Sequence, residues 1–440
     1  MKIGFVSLGC AKNLVDTEVM LGILDQGGYV ITDQPAEAEI LIVNTCSFID
    51  SAKEESISVI LQMAEFKQRG KCRCLIVAGC LGQRYREELL AELPEVDAIL
   101  GTGAWGRVLE AIEAVQAGRR VLFVDEITAI YDDQSPRIRT TPSYSAYIKI
   151  ADGCSNHCSY CIIPRVRGPF RSRTAASVVA EAKRLIADGV KEINLIAQDT
   201  TSYGRDRGGS SELTQLLREL TALEGDFWIR LLYCYPKYFS DELIDLIAKE
   251  PKICKYIDLP LQHADDGVLQ AMNRRDSRQE IETLLRKLRE RIAGVAIRTT
   301  FIVGFPGETE AQFDSLRNFI AQQRFDHVGI FSYSREEDTP AAAMPQQIPD
   351  EIRQARYHDL MALQSQISEE INRSLEDSVV TVLVEGRVDG EQTLLGRSCR
   401  EAPDVDGRVY VEGGGDVNPG CFVQARIVQG FAYDLVAEPV

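Results

Sequence analysis

The sequence predicts a multidomain α/β protein with three parts: an N-terminal open α/β sheet domain, a central partial (βα)6 TIM-like barrel, and a small C-terminal all-β barrel. Strand-like and helix-like segments alternate over most of the 440 residues, a pattern typical of parallel sheets. A polar stretch with two prolines, residues 131–143, divides this region. The last 67 residues instead contain short β-rich runs separated by glycine turns.

Residues 1–116 are predicted to form the N-terminal domain, and residues 117–139 a linker. A helical stretch from Leu14 to Asp25 ends at the glycine pair Gly27-Gly28. Strands and helices in alternation predict an open sheet. The strand-like runs are Ile3–Leu8, Ile40–Val43, Leu75–Ala78 and Ala98–Leu100.

Residues 140–371 are predicted to form the central domain, because six strand-like runs alternate there with helical patterns. A long helical pattern from Pro349 to about Arg373 closes it. Residues 374–440 then predict the small β-barrel, from runs at 379–384, 408–411 and 422–428. The six central runs are Ala146–Ile150, Glu192–Ile196, Ile229–Tyr233, Tyr256–Leu259, Ala296–Val303 and His327–Ser332.

Composition and charge exclude several classes of protein. The net charge is −17, which argues against a nucleic-acid-binding surface over the whole chain. No apolar run approaches the ~18 residues of a membrane span, and the N-terminus has no signal-peptide pattern. We therefore expect a cytoplasmic protein with no membrane association. In that compartment the 12 cysteines are packing residues, metal ligands or catalytic groups rather than a disulfide framework.

Cys154, Cys158 and Cys161 form a Cys-x3-Cys-x2-Cys motif directly after the first strand of the central domain. With so few cysteines in the chain, a chance match to three fixed positions is rare. Three thiolates on one loop can ligate three irons of a 4Fe–4S cube and leave the fourth iron open. Zinc, with His157 as a fourth ligand, is a rival interpretation, and three buried or free cysteines are another.

A second group comprises Cys10, Cys46 and Cys80, each of which follows a predicted strand. The C-terminal ends of parallel strands share one sheet edge, so the three thiols can converge there. The alternative is three small buried residues. Cys72 and Cys74 lie at the opposite end of their strand. The isolated cysteines are predicted to be packing residues: Cys234, Cys254, Cys399 and Cys421.

The motif with Tyr160 before its last cysteine, opening a six-unit βα domain, resembles the radical S-adenosylmethionine (SAM) superfamily. The stretches Ser7–Glu18, Asn44-Thr45-Cys46 and Ala78-Gly79-Cys80 resemble the methylthiotransferases of that superfamily, whose C-terminal barrel is called TRAM. The resemblance covers essentially the whole chain. It implies two 4Fe–4S clusters: one on Cys154, Cys158 and Cys161, which binds SAM and cleaves it to a radical, and an auxiliary one on Cys10, Cys46 and Cys80, which presents sulfur.

The family divides by substrate. Three stretches resemble the branch that modifies the β-carbon of an aspartate of small-subunit ribosomal protein S-twelve, with SAM as both methyl donor and radical source: Asn13–Glu18, Leu259–Ala264, and Leu395–Ser398 with Ala402–Gly407. The barrel, with 5 basic and 12 acidic residues, is expected to attract a basic ribosomal protein and repel tRNA. The alternative is the branch that methylthiolates a tRNA adenosine at C2.

Other candidate residues follow core strands. By resemblance, Gln198 and Asp199 contact SAM, and Gly304 and Glu308 lie along its adenosine. Helix capping or a first-turn position is the alternative for these polar residues. A basic run is expected to bind a carboxylate or to be salt-bridged: Arg165, Arg167, Arg171 and Arg173.

A non-enzymatic iron–sulfur scaffold is the remaining rival, and it predicts clusters without SAM cleavage. The sulfur donor and the electron donor are unidentified at this stage.

Overall fold

The computed structural model describes residues 1–124 and 126–440. The N-terminal domain is one sheet of six parallel strands in the order β2-β1-β3-β4-β5-β6, flanked by five helices. The four predicted strands are present. The elements are β1 (Lys2–Ser7), α1 (Ala11–Gln26), β2 (Val30–Thr32), β3 (Ile40–Thr45), α2 (Asp50–Ala64), α3 (Phe66–Arg69), β4 (Cys74–Gly79), α4 (Cys80–Glu92), β5 (Ala98–Leu100), α5 (Val108–Gln116) and β6 (Val121–Phe123).

Two edge strands of this sheet, β2 and β6, do not appear in the sequence prediction. Each is three residues long, too short to show alternation. Strand β6 pairs with β5 in parallel, so part of the stretch predicted as linker, residues 117–139, belongs to the N-terminal sheet.

The central domain contains all six predicted strands, in the parallel order β14-β13-β12-β11-β10-β7. The sheet does not close, so the partial barrel is confirmed. Its elements are β7 (Ser145–Lys149), β8 (Ala151–Asp152), α6 (Ile163–Arg167), β9 (Arg171–Ser172), α7 (Ala175–Ala187), β10 (Glu192–Ile196), α8 (Arg205–Gly208), α9 (Leu213–Thr221), β11 (Trp228–Leu231), α10 (Asp241–Lys249), β12 (Ile253–Asp258), α11 (Asp266–Ala271), α12 (Arg278–Arg291), β13 (Ala296–Val303), α13 (Glu310–Gln323) and β14 (His327–Ser332).

The two faces of the central sheet differ. Side chains alternate between faces along a strand: Ile193 and Leu195 of β10 pack in the apolar layer beneath the helices, whereas Glu192 and Asn194 are buried on the concave face. Val15 of helix α1 packs in the cluster on this concave face. The N-terminal domain therefore fills part of the open barrel.

The C-terminal domain is a closed five-stranded barrel in the order β15-β16-β17-β19-β18, reached through the predicted long helix. Its elements are α14 (Asp350–Ser374), β15 (Val379–Arg387), β16 (Leu394–Ser398), β17 (Val409–Val411), β18 (Phe422–Gly430) and β19 (Leu435–Pro439). No helix within the described ranges is long and apolar enough to cross a membrane.

The barrel docks on the concave face at the starts of the core strands. Arg397 donates two hydrogen bonds to Glu192, the first residue of β10, at 2.6 and 3.0 Å. Asp406 accepts a hydrogen bond from Tyr256 at 2.6 Å. The stretches Leu395–Ser398 and Ala402–Gly407 therefore form an interface between domains, at the end of the sheet opposite the strand C-termini.

Candidate active site

The three N-terminal cysteines lie on adjacent loops at one sheet edge. Cys10 precedes α1, Cys46 follows β3, and Cys80 opens α4 directly after β4. Strands β1, β3 and β4 are neighbours. A Cβ atom added to Gly9 would lie 3.0 Å from the Sγ atom of Cys46. The structure thus places the Cys10 loop against Cys46, as the strand pattern predicts.

Asn13 ties these loops together. Its Nδ2 group donates to the backbone oxygens of Leu8, at 3.0 Å, and Thr45, at 2.8 Å. Its Oδ1 atom lies 3.8 Å from the Sγ atom of Cys80. One buried side chain therefore contacts all three cysteine loops, a role that the sequence pattern did not reveal.

Cys154, Cys158 and Cys161 lie on the loop between β8 and α6, at the C-terminal edge of the central sheet. The loop begins at Gly153, which has a φ of +78° and packs so closely on residues 168–169 that a Cβ atom would clash with Pro169. The backbone N–H of Cys154 donates to the carbonyl of Gly168 at 3.1 Å. These contacts fix the direction in which the loop leaves the sheet.

Helix α6 connects the two cysteine groups. Ile162, the residue after Cys161, packs in one hydrophobic cluster with Cys80 and Val166. The hydroxyl of Thr102 in the N-terminal domain donates to the carbonyl of Val166 at 2.6 Å. Cys80 of the first group therefore packs against the residue that directly follows Cys161 of the second group.

Each group has a buried arginine beside it. Arg167, at the end of α6, donates to Asp16 at 2.6 Å and to Asn13, and its charge acts on Cys80 and Cys10. Of the predicted basic run, Arg167 and Arg173 are thus salt-bridged and buried. Arg165 is exposed and lies 3.2 Å from Asp338.

Arg274 stands beside the second group. It is buried and donates to the carbonyl of Pro260 at 2.9 Å. Its charge acts on Cys158 and Cys161. Sequence reasoning missed this residue, because only the fold brings it to the cysteine loop.

The thiols have the character of ligands that a metal must deprotonate. Burial raises the pKa of Cys154 to about 11 and that of Cys80 to about 12. Burial also opposes ionisation of Cys10. The charges of Lys12 and Arg167 and a hydrogen bond from the backbone N–H of Asn13 outweigh this effect, so the pKa of Cys10 is lowered. Thiolates are the ligands that hold an iron–sulfur cube, and neighbouring charges and hydrogen bonds tune it, so both groups fit such a cluster.

The described residues contain no group of three or more His, Cys, Asp or Glu side chains placed to hold one metal ion. Each thiolate of a 4Fe–4S cube binds a different iron. The three sulfur atoms therefore need not converge on one point, and this finding concerns single ions only.

Gln198 and Asp199 follow β10 at the same edge. Gln198 donates to Asp152 at 3.0 Å, while its buried Oε1 atom has no partner within the described ranges. Asp199 accepts from Asn156 at 2.9 Å and from the backbone N–H of Ser202 at 3.1 Å. Asp199 thus joins the cysteine loop to the next turn, and Gln198 has an oxygen left for a ligand.

Gly304 and Glu308 follow β13. Glu308 accepts from the backbone N–H groups of Gly304 and of Phe305, the latter at 3.0 Å, so it caps this turn. Its Oε1 atom is buried 3.3 Å from Arg356 and 4.0 Å from His263. Gly304 has a φ of +73° and faces the side chain of Arg353, which leaves no room for a Cβ atom.

The remaining cysteines lie elsewhere. Cys72 and Cys74 are buried at the start of β4, the opposite end from Cys80, as expected. Cys234 and Cys254 are buried in the core, and Cys399 is partly buried. Cys421 is exposed, so its prediction as a packing residue is wrong.

Comparison with family models defines the class of protein. The model of the uncharacterised protein family UPF0004 matches residues 2–101, that of the radical SAM superfamily matches residues 148–320, and that of the TRAM domain matches residues 378–440. A radical SAM methyltransferase from Kitasatospora setae, TsrM, solved with cobalamin and a 4Fe–4S cluster, has the same fold. Its TM-score is 0.59 at 14% identity, over 77% of this chain and 73% of that one. The chain is a radical SAM enzyme.

Full-length relatives identify the family. A protein of Syntrophotalea carbinolica is 52% identical over 100% of this chain and 97% of its own length. One of Geobacter sulfurreducens is 52% identical over 99% of this chain and 98% of its own. Both are named ribosomal protein uS12 methylthiotransferase RimO. This chain belongs to the RimO family of radical SAM methylthiotransferases.

Proposed function

We propose that the enzyme attaches a methylthio group to the β-carbon of an aspartate of ribosomal protein uS12, the S-twelve protein of the small subunit. One SAM molecule supplies the methyl group and a second supplies the radical that removes the β-hydrogen. The relatives that carry this name share about half of their residues with the chain over its whole length. That β-hydrogen is weakly acidic beside a carboxylate, so a radical route makes the position accessible.

The observation that carries the proposal is the contact between Cys80 of one cysteine group and the residues that follow Cys161 of the other group. Cys154, Cys158 and Cys161 would hold the cluster that binds SAM, and Cys10, Cys46 and Cys80 would hold the auxiliary cluster. When bound, these clusters would supply the electron for SAM cleavage and the sulfur for transfer. Helix α6 packs against Cys80 and begins two residues after Cys161, so one substrate group can meet both reactants without leaving the site.

Three further residues would orient SAM. Gln198 has a free buried oxygen at the strand ends, and Gly304 with Glu308 forms the turn after β13. Asp199 would act on SAM only through the cysteine loop that it holds. We assign these roles within three domains: residues 1–116 together with strand β6 for the auxiliary cluster, 140–371 for the radical SAM core and 374–440 for the TRAM barrel. The rest of the stretch 117–139 connects the first two.

The barrel would bind a basic part of the protein substrate. It carries 5 basic and 12 acidic residues, and two of the five cations, Arg397 and Arg400, are paired with carboxylates of the core. Exposed carboxylates remain on two of its loops, at Asp389, Glu391, Glu412 and Asp416. Such a surface attracts a lysine- and arginine-rich protein and repels a phosphate backbone.

A competition assay under argon tests the substrate. The reconstituted enzyme receives SAM, a strong reductant, sulfide, uS12 and bulk tRNA in one vessel, and mass spectrometry locates the methylthio group. We expect it on an aspartate of uS12. A methylthio group found on a tRNA adenosine would support the proposed reaction but contradict uS12 as its substrate.

Variants of the cysteines test the two sites separately. Replacing Cys154, Cys158 and Cys161 with Ala is expected to abolish SAM cleavage and remove about half of the iron. Replacing Cys10, Cys46 and Cys80 should also remove about half of the iron but leave SAM cleavage intact. A Cys72→Ala and Cys74→Ala double variant is the matched control, since both side chains lie at the opposite sheet edge. SAM cleavage that survives the first replacement would contradict the assignment.

A further inference from the structure

Lys12 is a buried lysine that forms no ion pair with a carboxylate in the part of the chain that the structure describes. Its side chain is 6% exposed, and no carboxylate there lies within the 4.0 Å of an ion pair with its Nζ atom. Burying an ammonium without a counter-charge is costly, and lysines are rarely buried unless paired. Its charge favours ionisation of the neighbouring Cys10 thiol, and the absence of a carboxylate partner leaves its N–H donors available to an anionic ligand.

The ring of Tyr233 holds the ammonium in place. The Nζ atom of Lys12 lies 3.1 Å from the ring centroid, and this cation–π contact attracts the charge without accepting its N–H donors in the way that a carboxylate would. Tyr233 has a φ of +62°, a strained conformation for a bulky residue. Two hydrogen bonds hold this backbone conformation. The N–H of Tyr233 donates to the carboxylate of Asp258 at 2.8 Å, and the carbonyl of Tyr233 accepts from the N–H of Thr200 at 2.9 Å.

This pair joins the loop of Cys10 to the C-terminal edge of the central sheet. Lys12 lies two residues after Cys10, in the first turn of α1, and Tyr233 lies at the C-terminal end of β11. Lys12 therefore belongs to the domain proposed to hold the auxiliary cluster, and Tyr233 belongs to the domain proposed to bind SAM. The ammonium therefore lies where the N-terminal domain meets the strand ends of the central sheet.

We propose that Lys12 binds the carboxylate of the target aspartate, an inference that rests on the proposed function. The carboxylate of an aspartate is bonded directly to the β-carbon. A carboxylate bound by Lys12 therefore fixes the position of the adjacent β-carbon, which is the carbon that loses hydrogen. Radical transfer requires that this carbon be held in a defined position. The same contact neutralises the charge of the substrate before it approaches the cysteine thiolates. Lys12 is thus the specificity-determining residue for an acidic side chain.

Binding measurements with matched substrates test this role. Reconstituted enzyme with SAM bound is titrated under argon with labelled uS12 that carries either the target Asp or an Asn in its place. The wild type is expected to bind the Asp form roughly 10- to 100-fold more tightly, the range for a charged hydrogen bond. Lys12→Met should bind both forms equally, and Lys12→Arg should retain part of the difference. Lys71→Met, an exposed lysine of the same domain, is the control.

Three outcomes would overturn the proposal. The first is that Lys12→Met keeps the full discrimination between Asp and Asn. The second is that Lys12→Met loses affinity for SAM with that discrimination unchanged, which would mean that the ammonium binds the carboxylate of SAM. The third is that Lys12→Met changes only the iron content or the reduction potential of the auxiliary site, which would mean that the charge balances the thiolates. Failure of the proposed function differs from these: the wild type itself would then neither discriminate between the two forms nor modify either.

Discussion

At the scale of single residues, Glu192 joins the central domain to the C-terminal barrel, a role that its position in a strand does not indicate. It is fully buried between Arg230, at 3.0 Å, and Arg397, at 2.6 Å. Burial alone would raise its pKa, but the two guanidinium groups outweigh that effect and lower the pKa from 4.5 to about 2. One carboxylate therefore compensates two buried cations, one from the core and one from the barrel.

This residue makes a prediction about stability and pH. A folded-state pKa below the unfolded value stabilises the fold above pH 4.5, and this contribution, on the order of 3 kcal/mol, is lost as the pH falls from there towards 2. Glu192→Gln leaves Arg230 without a carboxylate partner and Arg397 with Glu385 alone, at 2.8 Å. We expect this change to destabilise the protein by about 3–5 kcal/mol at pH 7. Thermal unfolding of the metal-free chain, followed by circular dichroism across this pH range, measures both effects.

The control is Glu224→Gln, which removes an exposed carboxylate of the same domain. It should leave the unfolding temperature at pH 7 unchanged. If Glu192→Gln behaves like this control, the buried cluster does not hold the barrel to the core.

At the scale of elements, the loop that carries Cys154 depends on one glycine. Gly153 has a φ of +78° and would clash with the carbonyls of residues 168 and 169 if it carried a Cβ atom. Gly153→Ala must therefore displace the loop and break the hydrogen bond between Cys154 and Gly168. We expect the variant to fold but to lose the iron bound by this loop, about half of the total. Iron analysis and electron paramagnetic resonance after anaerobic reconstitution measure the loss.

Gly189→Ala separates backbone strain from collision. Gly189 has a φ of +91° with nothing within 4 Å of an added Cβ atom, so this variant carries only the strain of about 1–2 kcal/mol. It should keep its full iron content. Full iron in Gly153→Ala as well would mean that the loop tolerates movement and that its path does not position the cysteines.

The elements also show what a sequence can predict. The six strands of the central sheet were predictable because mainly apolar runs alternate there with helical patterns. Strands β2 and β6 were not, because three residues carry no periodicity. The cysteine groups were predictable from spacing and strand ends, since parallel strands share an edge. Lys12, Arg274 and Asn13 were not predictable as site residues, since their positions depend on contacts between loops far apart in sequence.

At the scale of the whole molecule, the barrel and the reaction site lie at opposite ends of the central sheet. The barrel contacts Glu192 at the start of β10, whereas Gln198 and the cysteine loop follow the strand ends. Five residues of strand separate them by roughly 17 Å. The barrel therefore cannot hold the target side chain itself. The barrel would bind a basic surface of the same substrate that lies far from the target aspartate. Only a substrate large enough to reach both sites would then benefit from the barrel.

Because of this separation, the charges of the barrel should affect only substrates that are long enough to reach it. Asp389→Asn, Glu391→Gln and Glu412→Gln together remove three exposed negative charges from the barrel. We expect the combined variant to raise KM for intact uS12 several-fold and to reduce its dependence on salt, because exposed charges steer association and each contributes up to about 1 kcal/mol. A short peptide around the target aspartate should react equally with both enzymes, because it cannot reach the barrel. Neutralising Glu224, Glu290 and Asp314 on the outer surface of the core is the matched control. Equal KM values for intact uS12 in all three proteins would mean that the acidity of the barrel plays no part in binding the substrate.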